Sequence, residues 1–107
     1  LRICDELGLS ALTETHDEEE LKKAVSCGAR IIGVNNRNLK TFEVDTENSR
    51  RLRELAPEDV IFVSESGIRG VEDIPPLKEA GVDAVLIGEA LMRAKDKAKL
   101  LEAMRRA

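Results

Sequence analysis

Two glutamates lie where an apolar strand pattern should not hold them. Glu14 falls inside Ala11-Leu12-Thr13-Glu14-Thr15, and Glu65 follows Val60-Ile61-Phe62-Val63-Ser64 and leads directly into Ser66-Gly67. An unpaired carboxylate is costly to bury, so each needs a reason for its place. Brought together, such groups can take and give protons in a reaction. Two more apolar runs end the same way: Arg30-Ile31-Ile32-Gly33-Val34 passes into Asn35-Asn36-Arg37, and Asp83-Ala84-Val85-Leu86-Ile87 into Gly88-Glu89. Gly67 and Gly88 allow backbone N–H groups to approach an anion closely. Residues 89–93 can form a short helix whose N-terminus faces the same spot. Strand-end glycines followed by such a helix are the phosphate site of a barrel.

The remaining candidates carry less. His16 is the only histidine, and without a Ser or Cys nucleophile beside it reads as a loop or capping residue. Thr13 and Thr15 read as ordinary strand residues, and Cys27, near a helix end, as packing. The acidic run Asp17 to Glu20 suits the positive end of a helix and needs no other purpose.

These residues sit on a strict alternation of elements. Residues 1–7 have apolar positions at 1, 3, 4 and 7 and stop at Gly8, the tail of a helix. A strand is expected over 11–15. Asp17 with Glu20 has the spacing of a capping box, opening a helix that buries Leu21, Ala24 and Val25 until Gly28. A strand over 30–34 precedes a loop of about ten residues, longer than the usual ~2–6 and therefore a functional loop by expectation. A helix from Asp45 or Thr46 buries Leu52 and Leu55 and ends at Pro57. Strand 59–64 leads to a helix near 71–80, short or kinked because of Pro75-Pro76. Strand 83–87 and a helix near 97–106 complete the chain.

Apolar strands separated by helices imply parallel pairing with the strand-to-helix loops gathered at one end. Ligands bind at that end in parallel α/β folds. The pattern leaves two architectures open, a doubly wound open sheet or part of a (β/α)₈ barrel.

Composition narrows the function. The 107 residues make one domain at most, with a net charge of −4 and charged residues at 36%. There is no basic stripe and aromatics are 2%, which argues against nucleic acid as a partner. No apolar run approaches the ~20 residues of a membrane span. Cys4 and Cys27 lie far apart without metal-ligand spacing, which suits a reduced, cytoplasmic protein. The chain opens on Leu1 in mid-pattern, as a fragment would.

Leu-Thr-Glu-Thr-His (12–16), Ile-Ile-Gly-Val-Asn-Asn-Arg-Asn-Leu (31–39), Val-Ser-Glu-Ser-Gly-Ile (63–68) and Ala-Val-Leu-Ile-Gly-Glu-Ala-Leu-Met (84–92) together resemble indole-3-glycerol phosphate synthase. The resemblance runs over essentially the whole chain. It implies a parallel (β/α)₄ half of a TIM barrel, strands five to eight of the family barrel, with 1–107 as a single C-terminal half-barrel domain. It also implies closure of the indole ring of 1-(2-carboxyphenylamino)-1-deoxyribulose 5-phosphate with loss of carbon dioxide and water, using no cofactor and no metal. By resemblance, Glu14 is the general base, and Asn35 and Arg37 orient the anthranilate part, with Leu39 beside them. Glu65 and Ser66 hold the hydroxyl-bearing chain, and the amides at Gly67, Gly88 and Glu89 bind phosphate. Glu89 replaces the Ser or Thr of some relatives. The family's lysines and a further Glu belong to strands one to four. The expected partners are therefore a phosphorylated small molecule and either the N-terminal half-barrel or a second copy of this chain. Alone, the chain is expected to be inactive. The alternative is a non-catalytic, self-associating half-barrel that at most binds phosphate compounds.

Overall fold

The computed structural model describes residues 1–107. A short helix α1 (Arg2–Glu6) leads into β1 (Leu12–Thr15), α2 (Glu18–Ser26), β2 (Ile31–Asn35), α3 (Glu47–Leu55) and β3 (Ile61–Glu65). After β3 a single 3₁₀ turn (Val71–Asp73) runs into α4 (Ile74–Glu79), followed by β4 (Ala84–Leu86), α5 (Glu89–Arg93) and α6 (Lys97–Arg106). Pro75 and Pro76 stand in the first turn of α4, where a missing N–H costs nothing, and the preceding turn is tighter for the same reason. The short, interrupted helix expected there is what forms.

All four strands are parallel and in sequential order, β1-β2-β3-β4. No strand order reverses about a switch point, so the architecture is the α/β half-barrel and not the doubly wound sheet.

Strand side chains alternate between two faces. On one face Ile32, Val34 and Phe62 meet Leu21 and Ala24 of α2 and Leu52 of α3 in a buried core. A second cluster, Ile68, Leu77 and Met104, ties α4 and α6 to the β4 side, and Val82 packs against both clusters. Leu55 does not join Leu52: it is half exposed, since three positions along a helix leave it at the edge of so narrow a buried stripe. Cys27 also lies exposed beyond the end of α2 instead of packing.

The other face of the sheet carries no helix, and register sorts it into layers. Leu12, Ile31 and Ile61 are level at the bottom. Glu14, Gly33, Val63 and Ala84 form the middle, and Asn35, Glu65 and Leu86 the top. The face is apolar below and polar above. Leu12, Ile61 and Leu86 on it are exposed.

Candidate functional site

The two unexplained glutamates meet. Glu14 on β1 is level with Gly33 on β2, while Glu65 on β3 stands one layer higher and leans across β2. A Cβ at Gly33 would overlap Glu65 Oε2 and crowd Leu12 Cδ1 at 3.2 Å. The absent side chain is what lets the carboxylate cross the strand toward Glu14. A glycine inside a strand often marks such an approach.

Glu65 is only 5% exposed, and no N–H or hydroxyl donates to its buried Oε2. Burial pushes its pKa from 4.5 up to about 7, reinforced by hydrogen bonding to and charge repulsion from Glu14. His16 acts in the opposite sense. Near neutral pH the carboxyl of Glu65 is therefore poised between its two forms, which suits a proton-transfer group.

Beneath this pair lies a buried polar network. Asn36 Nδ2 donates to Ser64 Oγ and to the Ser66 carbonyl, both at 3.0 Å. Asn36 Oδ1 accepts from Ser49 N–H at 3.2 Å and Ser49 Oγ at 2.8 Å. The hydroxyls of Ser49 and Ser64 are 2.7 Å apart. Asn36 N–H donates to the Glu65 carbonyl at 2.8 Å, and Thr15 Oγ1 to the Gly33 carbonyl at 3.0 Å. The tops of β1, β2 and β3 are thereby joined to one another and to the start of α3. Every buried group named here has a partner, so the network rigidifies at little cost.

Beyond β3 the backbone turns sharply. Ser66 has φ +69 and Gly67 φ +80, two left-handed residues in succession. The first is strained for a residue with a side chain. A Cβ at Gly67 would overlap Val44 Cγ1 and approach Thr46 Cγ2 at 3.1 Å, so the loop after β3 lies tight against the loop after β2. The turn opens into a cavity of about 1000 Å³ lined by Arg37, Glu65, Ser66, Gly67, Gly88 and Glu89 among others. At Gly88 nothing lies within 4 Å of a built Cβ. Neither packing nor a left-handed φ requires glycine there.

Charge in the cavity is mixed. Glu89 sits between two cations, 3.7 Å from Arg37 and 3.0 Å from Arg93. Arg37 N–H donates to Asn35 Oδ1 at 2.9 Å, which folds the Asn35 side chain back over its own turn. Arg37 also bridges to Val44, closing the long loop into a small hairpin. Phe42, at φ +61, reaches the cavity from that hairpin. No group of three His, Cys, Asp or Glu side chains is placed to hold a metal ion.

Most residues singled out from the sequence thus converge. Arg37, Glu65, Ser66, Gly67, Gly88 and Glu89 line the cavity. Glu14 and Asn35 do not line it; they stand beside Glu65, Asn35 level with it on β2 and Glu14 within reach of its carboxyl from β1. Leu39 does not reach it: at 57% exposed it stands on the outer turn of the hairpin. Asn38 directs that turn, its Oδ1 accepting from Lys40 and Thr41 N–H. Sequence reasoning missed Gly33, Asn36, Ser49 and Ser64. Only Gly33 left a signal, as an isolated glycine in an apolar strand.

The model of the family described as indole-3-glycerol phosphate synthase matches residues 1–104. The indole-3-glycerol phosphate synthase of Lachnoclostridium phytofermentans is 66% identical over 97 residues, which is 91% of this chain and 36% of that protein. The one from Leuconostoc mesenteroides is 50% identical over 105 residues, 98% of this chain and 40% of that protein. The chain therefore spans 36% to 40% of the length of these curated relatives. Among solved structures, a thiamine phosphate pyrophosphorylase from Pyrococcus furiosus superposes with a TM-score of 0.78 at 23% identity, over 97% of this chain and 52% of that one. The BexX/CysO complex of Amycolatopsis orientalis gives 0.76 at 22%, over 98% and 43%. At such identities these structures speak for the fold alone.

Proposed function

Because this chain belongs to the indole-3-glycerol phosphate synthase family, we propose that it supplies the second half of that enzyme's barrel, strands five to eight. The whole protein would close the indole ring of 1-(2-carboxyphenylamino)-1-deoxyribulose 5-phosphate, with loss of carbon dioxide and water, in cytoplasmic tryptophan biosynthesis. The observation that carries this reading is the Glu14–Glu65 pair, joined across Gly33 at the rim of a cavity with Arg37 on one side and Gly67 and Gly88 on the other.

Ring closure onto a carbonyl needs a donor to the departing oxygen and a base to restore aromaticity, held in one geometry. Glu14 serves as the base. Glu65, half-protonated near neutral pH, and Ser66 hold the hydroxyl-bearing chain. Asn35 and Arg37 orient the anthranilate part. The N–H groups at Gly67, Gly88 and Glu89 take the phosphate, and the open space at Gly88 leaves room for it. Leu39 shapes the loop and has no direct contact in this arrangement. The donor to the departing oxygen comes from the family's lysine outside these 107 residues, and the uncovered apolar layers of the sheet meet the remaining strands or a second copy of the chain.

Mixing the chain with the separately produced first half of the barrel and following indole fluorescence tests this. The chain alone should not turn over substrate, the mixture should, and Glu14→Gln should silence the mixture by roughly 10² to 10⁴. Turnover by the chain alone, or a fully active Glu14→Gln mixture, would overturn the assignment. A stable self-associated dimer that binds phosphate but never gains activity on mixing would favour the non-catalytic reading.

A further inference from the structure

His16 occupies a position that capping alone does not explain. Its backbone N–H donates to Glu20 Oε1 at 2.9 Å, and its ring Nδ1 lies 3.0 Å from the same oxygen. Both contacts tie the residue to the first turn of α2, where Asp17 also caps Glu20 N–H at 2.8 Å. The ring then presents its other nitrogen inward. Nε2 is buried with no hydrogen-bond partner, and Glu14 Oε2 stands 3.5 Å away. A buried nitrogen without a partner calls for an explanation. From α3, Asn48 Nδ2 holds the His16 carbonyl at 3.0 Å, and Arg51 holds Asn48 Oδ1 at 2.5 Å.

Two carboxylates compete for the ring's proton, since each can only accept. Glu20 Oε1 is the nearer at 3.0 Å, against 3.5 Å for Glu14 Oε2, so the neutral ring carries its proton on Nδ1. Nε2 is then a bare acceptor facing Glu14 Oε2, and repulsion between their lone pairs turns the Glu14 carboxylate away from the ring. Glu14 thus stands between two buried, unpartnered atoms, Nε2 of His16 and Oε2 of Glu65. His16 is also close enough to Glu65 to influence it through its charge.

We propose that His16 is a positioning residue for Glu14: Glu20 fixes the ring with its proton on Nδ1, and Nε2 holds the Glu14 carboxyl toward the Glu65 side of the site. This rests on the reading of Glu14 as the base, but the tautomer can be tested without it. The arrangement is that of a carboxylate orienting an imidazole so that its second nitrogen governs a neighbour. The charged groups around the ring are Glu14 from β1, Glu65 from β3 and Glu20 from the start of α2, with Asp17 behind Glu20 and Arg51 of α3 behind Asn48.

The single histidine makes the test direct. In the ¹⁵N-labelled chain at alkaline pH, two-bond proton–nitrogen correlation should show the proton on Nδ1, the opposite of the preference of free histidine. Glu20→Ala, which removes the acceptor of both the His16 N–H and Nδ1, should shift the population toward Nε2–H. A wild-type ring protonated on Nε2, or a tautomer indifferent to Glu20→Ala, would overturn the proposal even if the family reaction proves correct. In the complete enzyme carrying this sequence, His16→Gln and His16→Asn give the second reading. Glutamine places its amide near Nε2, and asparagine near Nδ1. Glutamine should retain more turnover, with asparagine lowering kcat by roughly 10- to 100-fold at little change in KM. Asparagine equal to or better than glutamine would reduce His16 to a helix cap. An inactive wild-type enzyme would sink the reaction assignment and leave the tautomer result standing by itself.

Discussion

The carboxylate of Glu65 fills the space that a side chain at Gly33 would need, although the two residues belong to different strands. Gly33→Ala should therefore be destabilising although its backbone tolerates alanine. Forcing a methyl group into an occupied place costs about 1–3 kcal/mol. Urea unfolding should show that loss in the wild-type background and little of it when Glu65 is also alanine. Equal losses in both backgrounds would mean that Glu65 does not lie over Gly33.

Acidity gives a second test. Glu65 is raised from 4.5 to about 7, so the folded chain holds this proton more tightly than the unfolded chain does. Stability from this group is complete below about 4.5, falls as pH rises toward 7, and is flat above. Over that interval the loss is at most about 3 kcal/mol. Glu65→Gln, which cannot ionise, should be more stable than wild type at pH above 7, with the advantage disappearing toward pH 4.5. An advantage of the same size at both ends would place the effect in packing instead.

At the turn after β3, adjacent residues should respond in opposite directions. Ser66 has φ +69, so Ser66→Gly should relieve strain and raise stability by roughly 0.5–1 kcal/mol. Gly67→Ala meets both φ +80 and the methyl group of Val44, and should lower stability by more than that. Thermal melts of the two variants suffice, and a stabilising Gly67→Ala would contradict the turn described.

Inorganic phosphate should shift the amide signals of Gly67, Gly88 and Glu89 in the isolated chain, weakly. Glu89 holds Arg37 and Arg93, so Glu89→Gln should strengthen binding. These ion pairs are largely exposed, which limits the gain to roughly two- to fivefold. Weaker binding in the variant, or shifts confined to other residues, would remove the phosphate assignment from this place.

The elements were legible in the sequence because their signals are local. Apolar period, glycine stops and the Pro75-Pro76 pair placed each strand and helix within a residue or two. Glu14 and Glu65 stood out for a local reason too, as carboxylates in apolar runs. What joins them was not local. Asn36, Ser49 and Ser64 are ordinary polar residues until strand register and the start of α3 bring them together over separations of 13 to 28 positions. Leu39 was misplaced for a related reason, since its neighbour Asn38 turns the loop outward by bonding to its own backbone. Leu55 fitted the helical period but lies at the edge of the buried stripe of α3 and is half exposed.

The contact of Gly67 with Val44 and Thr46, with the Asn36 bond to the Ser66 carbonyl, has a kinetic consequence. An outward movement of the loop after β2 or of the loop after β3 would have to break these contacts or carry the other loop with it. The α5 side is different: the ion pair that joins it to the loop after β2, Arg37–Glu89 at 3.7 Å, is half exposed to water. Entry to the cavity then has a preferred doorway, between Arg37 and Glu89. An anionic visitor arriving there competes with Glu89 for Arg37, so the latch would be released by the molecule it admits.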